Sequence, residues 1–274
     1  MRKWIIALFL IASTSYGSNI TNEVEAFGDN YLAPVSAFGD YWVYDKPTSG
    51  PTWDVSTNQV LHWRFNDDAA TTVVIDSSGE GYTGIISGAN SEDMSVAGKI
   101  NSAFKFDGTN DVASVIDVPV ADVPMTLMCW YKPSSVSGLQ RLVTIQTAVT
   151  IANTISIAAD SAKAMAQHYN APQNGIASAS STVSTGEWVH IAGVFTSSTS
   201  RDLYVDSVLV ASNSIAVDAF TSLSLTTVGY LDLSGENQWC SGTIDDVRIL
   251  DRAATQEEIE GIYNDGNGTE ADSN

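Results

Sequence analysis

Two adjacent carboxylates, Asp245 and Asp246, stand in the middle of CSGTIDDVRIL (240–250), a stretch that reads as a strand entered through a glycine. In an extended chain Thr243, Asp245, Val247 and Ile249 share one face, and Ile244, Asp246, Arg248 and Leu250 the other. That division separates the pair, which then cannot flank a glycosidic bond as two carboxyl groups about 5 Å apart. Asp246 falls beside Arg248, which predicts an ion pair or a polar patch. Asp245 falls beside Val247 and Ile249, where a carboxylate needs hydrogen bonds, a cation or a metal ion.

Other constellations for chemistry are missing. His62 and His168 are isolated in the sequence, and His190 lies in WVHIAGVF, where alternation suggests packing. No G-x-S-x-G, H-E-x-x-H or phosphate-binding loop occurs. Cys129 has no neighbouring histidine in sequence and reads as a structural thiol. The chain is expected not to be an enzyme. With only Cys129 and Cys240, no disulfide framework exists; the two either form one bridge or are separately buried thiols.

The ends bound the setting. Arg2 and Lys3 precede the apolar run WIIALFLIA (4–12), followed by small and polar residues to Gly17, which predicts a signal peptide over 1–17 and a secreted or cell-surface protein. No segment approaches the roughly 20 apolar residues of a membrane span. Removing Arg2 and Lys3 from the 12 Lys and Arg leaves 10 against 32 Asp and Glu, a formal charge of −22. Such a surface repels nucleic acid and anionic membranes; it suits divalent cations or saline surroundings, or simply keeps the protein soluble.

The elements that must position these residues are short. Thirteen alternating runs follow residue 60: VLHWRF, TGIIS, SAFKF, VASVI, TLMCWY, RLVTI, TISIA, KAMAQHY, EWVHIAGVF, RDLYVD, VLVAS, LSLTTVGY and the 240–250 segment. Clusters such as Asp76-Ser77-Ser78-Gly79 and Asp107-Gly108 separate them, as in an all-β sandwich or barrel. TQEEIEGIY (255–263) predicts one helix, with Thr255 and Glu258 as a capping box and Ile259, Ile262 and Tyr263 as its apolar stripe. Residues 265–274 read as a polar, acidic, frayed tail. Residues 18–59 carry AFGD twice and seven aromatic residues, and read as an arm that either packs on the main domain or docks on a partner chain.

The order LHWRF with DSSGEGYTG behind it, AGKINSAFKFDGTNDV, TLMCWYKP, EWVHIAGVF, RDLYVDSVLV and GTIDDVRILDRAATQEEIEGIY resembles the LamG-like, concanavalin A-like lectin/glucanase jelly-roll superfamily over about 200 residues. The resemblance implies a jelly roll over 60–264: two antiparallel sheets, face to face, with one short C-terminal helix. Its glucanase branch carries an E-x-D-x-x-E strand that this chain lacks. It implies a structural calcium ion held by Asp245, Asp76 and Asp67, although Asn66-Asp67 departs from the acidic pair usual there, and although Asp76 also reads as a turn aspartate and Asp245 as an acceptor of backbone N–H groups. It further implies a carbohydrate platform at Tyr230 and Trp239, with Glu236 and Asn237 as polar contacts. The function expected is recognition or adhesion toward an extracellular glycan or a surface protein; the alternatives are an assembly protein docking through 18–59 and, more remotely, a degenerate glycoside hydrolase. Ser207 replaces the glycine of the family's Y-V-D-G turn, which predicts a strained or different hairpin. The cysteine pairing of pentraxins is absent because Ala192 takes the partner position of Cys129; a bridge would have to run to Cys240.

Overall fold

The computed structural model describes residues 53–147, 153–220, 222–231 and 238–273, and the backbone of two strands at 35–38 and 41–44. Residues 1–17 lie outside the described residues, as do most of 18–52, Glu236 and Asn237. By itself the amino-terminal unit contains an antiparallel pair, Val35–Phe38 with Tyr41–Tyr44, in the register Val35 to Tyr44. The second compact unit runs Thr52–Asn274.

That unit is a sandwich of two eight-stranded antiparallel sheets. The front sheet runs, edge to edge, Gln173–Ser178, Lys163–Asn170, Asn153–Asp160, Leu139–Gln146, Leu225–Val228, Val112–Val115, Gly84–Ser87 and Val73–Val74. The back sheet runs Val208–Asn213, Ser200–Val205, Val189–Ser197, Met125–Pro133, Ser241–Leu250, Ser102–Asp107 and Ser95–Ala97, with Gln59–Trp63 also pairing Ser241–Leu250. All thirteen expected strands form. The unforeseen ones are short or weakly patterned, such as Gln173–Ser178, whose Gly175 leaves room for the Arg201 guanidinium.

The inner faces of both sheets supply the core, including Trp63, Phe65, Phe104, Leu127, Val143, Ile155, Ile157, Ile191 and Phe195. A second cluster covers the outer face of the back sheet: Met128, Ala192, Val194 and Leu250 meet Ile259 and Ile262 of the helix Gln256–Tyr263. That helix starts as expected. Glu258 N donates to Thr255 Oγ1 at 3.3 Å, and Thr255 N donates to Glu258 Oε2 at 2.8 Å.

Two features depart from expectation. The 265–274 segment is fastened rather than frayed: Asp272 accepts from Arg248 Nη1 and Gln59 Nε2, the Thr269 carbonyl accepts from Arg248 Nη2, and Val55 N donates to the Asp272 carbonyl. Its acids have a buried cation to meet, so residues 265–273, like 53–59, belong to the sandwich. The second departure is in the opening segment. Asp245 pairs with Trp130 and Arg248 with Met128, so two residues, Asp246 and Val247, oppose Cys129 alone. Asp246 takes φ 46°, a left-handed conformation. This is a β-bulge, and the extra residue shifts the alternation by one. Ile244, Val247 and Ile249 face the core, whereas Leu250 joins the outer cluster. Asp245 therefore does not share a face with Val247 and Ile249, as regular alternation required; it lies outward with Trp130, Met128 and Arg248.

Candidate functional site

The bulge settles the partners of both carboxylates. Asp246 Oδ1 is 2.7 Å from His62 Nε2, and Arg248 Nε donates to Asp246 Oδ2 at 3.1 Å, so the expected ion pair forms and His62 is not isolated. Burial alone would raise the Asp246 pKa, but the Arg248 guanidinium and His62 bring it down to about 2. Asp245 is fully buried; Oδ2 accepts from Lys99 N at 2.8 Å and Ile100 N at 2.9 Å, while Oδ1 has no partner. Burial pushes its pKa up to about 8 against those two donors, with the Asp246 charge adding to the rise.

The three carboxylates suggested for calcium do not converge. Both oxygens of Asp76 are occupied by donors, Oδ1 by His62 N and Ser78 N, Oδ2 by Ser78 Oγ, Gly81 N and Tyr82 N. This is the turn-aspartate arrangement, with the lone pairs already used. Asp67 accepts from Ile75 N and lines a separate cleft of about 630 Å³ with Arg64, Asp68, Val73 and Ile75. Asp245 offers one free oxygen where calcium takes six to eight. Among the described residues no group of three or more His, Cys, Asp or Glu could hold a metal ion. The residues as placed do not fit the ion.

Cys129 and Cys240 are free, buried thiols, and burial raises both pKa values. His168 and His190 are buried, and burial lowers each to about 4, so both are neutral packing groups near pH 7.

Polar chemistry gathers instead on the outer face of the front sheet. Val143 and Ile145 point into the core, as do Ile155 and Ile157 on the neighbouring strand, so Thr144, Gln146, Thr154 and Ser156 point outward. Register aligns Ser114, Thr227, Thr144, Ser156 and Gln167 in one row across five strands, with Leu225, Gln146, Thr154, Tyr169 and Asn174 in the next. Thr144, Ser156, Thr227, Gln146 and Thr154 are all buried, yet Thr144 Oγ1 and Gln146 Nε2 have no hydrogen-bond partner. At one end Arg141, 4% exposed, donates from Nη1 to Ser156 Oγ and Gln167 Oε1, both at 2.6 Å, and from Nε to Gln238 Oε1 at 2.7 Å. Gln238 belongs to the short hairpin Tyr230–Leu231 and Gln238–Trp239, in which the two aromatic rings stack at 4.0 Å. Gly229 N donates to the Leu142 carbonyl, holding this hairpin beside the Arg141 strand.

The structure thus brings Tyr230 and Trp239 together and places them next to polar rows that no sequence motif marks. A signal was present: the outward half of VTIQ (143–146) and TISI (154–157) is threonine, serine and glutamine, uncharged in a chain with 32 acids. A merely solvated sheet face in such a chain would carry those acids.

A two-sheet jelly roll with an uncharged hydrogen-bonding face and an aromatic pair at its rim defines a lectin-like sandwich. The sequence matches the Concanavalin A-like lectin/glucanases superfamily over residues 107–260, more than half of the chain. The chain belongs to that superfamily. Similar solved structures share the fold at low identity. Domain 4 of AbnA, a GH43 extracellular arabinanase from Geobacillus stearothermophilus, in complex with arabinotriose, superposes with TM-score 0.59 at 19% identity, covering 74% of this chain and 97% of that domain. The binding domain of Paraclostridial Mosquitocidal Protein 1 gives 0.60 at 15% identity, covering 77% and 52%. The Trypanosoma rangeli sialidase in complex with a difluoro-KDN gives 0.57 at 14%, covering 78% and 34%. This chain therefore spans one whole domain of the arabinanase but about half of the toxin domain. No curated protein matches the sequence.

Proposed function

We propose that the outer face of the front sheet binds carbohydrate and that the protein is a non-catalytic recognition module working outside the cytoplasm. The observation that carries this reading is the pair of buried, unpartnered groups, Thr144 Oγ1 and Gln146 Nε2, within uncharged polar rows beside the Tyr230–Trp239 stack. Unmade hydrogen bonds are unfavourable in a folded chain until solvent or a ligand makes them, and saccharide hydroxyls both donate and accept. Stacked rings at a rim present an apolar face to a sugar ring. The fold neighbours add support, since one was solved with arabinotriose. The non-catalytic part of the reading is supported by Asp245 and Asp246, one held by backbone N–H groups and the other by His62 and Arg248, and by the lack of acids in the two polar rows. Export is supported by Arg2, Lys3 and the apolar run after them. No helix among the described residues is long and apolar enough to cross a membrane.

A second reading, a protein partner, is favoured by exposed Val73, Ile85 and Ile116, 43%, 61% and 87% accessible, on the same sheet near its Val73–Val74 edge.

The test is an oligosaccharide array followed by calorimetric titration of wild type, Thr144→Val and Trp239→Ala. Thr144→Val removes an unpaired buried hydroxyl, so its melting temperature holds or rises while affinity falls about fivefold to tenfold. Trp239→Ala lowers affinity about tenfold or more. A protein that binds no saccharide, or variants that bind like wild type, would overturn the assignment.

A further inference from the structure

Of the five arginines in the described part of the chain, Arg64, Arg248 and Arg252 face carboxylates: Glu270 at 3.9 Å, Asp246 and Asp272 at 3.1 and 3.0 Å, and Glu258 at 2.7 Å. Arg201 is held by the carbonyls of Ser198 and Ile215 and by Asn213 Oδ1, and these contacts pin the chain after the Val208–Asn213 strand. Arg141 differs from all four. It is as buried as a core residue, forms no ion pair among the described residues, and its hydrogen bonds run to three neutral side-chain oxygens on the polar face. Asp160 acts on it only from beyond ion-pair distance, and a buried cation with no acid in contact among the described residues is a disfavoured arrangement that a chain with 32 acids has ample means to avoid.

We propose that the saccharide taken up by this face carries a carboxylate, and that Arg141 is the group that pairs with it. The inference rests on the carbohydrate reading above and names the ligand class. Ser156 and Gln167 fix the guanidinium through Nη1, so its plane is already oriented. The third contact, at Nε, comes from Gln238, a half-buried residue on the two-residue strand of the hairpin. A ligand carboxylate displaces that amide oxygen, exchanging a neutral acceptor for a charged one in the planar geometry guanidinium favours. The ring that bears the carboxylate then lies against the hairpin of Tyr230 and Trp239, with its hydroxyls over Thr144 and Gln146. The formal charge of −20 repels a polyanion at long range. The ligand is therefore an oligosaccharide with one or a few uronic acid units rather than a highly sulfated chain.

The experiment titrates the full mature chain with matched pairs of oligosaccharides, galacturonate, glucuronate and mannuronate trisaccharides and their methyl esters, together with neutral arabinotriose and xylotriose. At least one free acid is expected to bind about tenfold to a hundredfold tighter than its ester, since hydrogen bonds to charged groups exceed neutral ones by that margin. Arg141→Gln keeps an amide donor for Ser156 and Gln167 and is expected to erase the preference, lowering affinity for the free acid by more than affinity for the ester. If Arg141→Gln does not fold, Arg141→Lys retains a cation without the fork and is expected to lose about tenfold toward the free acid. Equal affinity for acid and ester, or a preference undiminished in the Arg141 variant, overturns the inference. Neutral trisaccharides binding where every free acid fails would sink it and leave the carbohydrate reading standing, whereas no binding by any saccharide sinks both.

Discussion

Asp245→Asn isolates the carboxylate that regular strand geometry misplaced. Asp245 is fully buried, Lys99 N and Ile100 N donate to one oxygen, and the other has no partner. Burial raises its pKa from 3.8 to about 8. A raised folded pKa contributes stability that is complete below the unfolded value near 4 and is lost as pH climbs through the folded value. The wild type is therefore expected to lose about 1.4 kcal/mol per pH unit from this group across that window, or about 3 kcal/mol between pH 5 and pH 7.5. Asparagine keeps an acceptor for both N–H groups and has nothing to ionise. Urea unfolding of both proteins from pH 5 to pH 8 gives the difference directly, and the other titrating groups near the site, Asp246, Asp206, His190 and Lys99, cancel between them to first order. At pH 5 the two should agree within about 1 kcal/mol, and at pH 7.5 the variant should be the more stable by about 3 kcal/mol. A variant less stable than wild type at pH 7.5 would refute the reasoning, because it would mean that the carboxylate is ionised and compensated. Repeating the pH 7.5 measurement with calcium and with chelator identifies the compensating charge: a wild-type advantage present only with calcium would restore the metal ion that the geometry does not support.

The remaining expectations concern the turns and thiols. Asp206 and Ser207 form the two-residue connection between Val205 and Val208 with φ of 49° and 63°, the left-handed pair that favours glycine at its second position. Ser207→Gly is expected to raise stability by about 1 kcal/mol in the same urea assay, and an unchanged or lower midpoint would show that the turn is not strained. Cys129 and Cys240 are buried free thiols, so a thiol-reactive dye should label neither in the native protein and both after denaturation without reductant. Failure of both to label in denaturant would reveal a bridge.

The fold was legible because the strands alternate regularly between turn clusters and the helix carries its own capping box. Leu142, Val143 and Ile145 and their partners Ile155 and Ile157 announce strands by type as well as period. Less legible was whatever depends on register across the sheets. Ser156, Thr144 and Thr227 lie 12 to 83 residues apart in sequence and become one row only when their strands pair. No motif search finds such a row, since each member is an ordinary outward residue of its own strand. Arg141 was hidden in the same way: RLVTI read as a strand with a charged end, and only the folded chain shows it buried, hydrogen-bonded to three neutral side chains and in no ion pair among the described residues. Tyr230 and Trp239 were legible because they flank one loop, and chain proximity brought them together.

The bulge at Asp246 also explains how the most acid-marked segment serves the fold. By inserting one residue opposite Cys129 it returns Val247 and Ile249 to the core and turns Arg248 outward toward Gln59, Thr269 and Asp272. There Arg248 binds Asp246, Gln59, Thr269 and Asp272 together, while Val55 pairs with the Asp272 carbonyl. Each charge in this network meets a partner, which is the condition under which a buried ion cluster is tolerated, and removing one partner strands the others. The 240–250 strand thus uses its acids and its arginine to fasten both ends of the sandwich, and its outer face lies beneath the helix. Among the described residues the helix Gln256–Tyr263 packs on the back sheet and the two polar rows of the front sheet carry no charge, so the binding face proposed above lies on the sheet opposite the two aspartates.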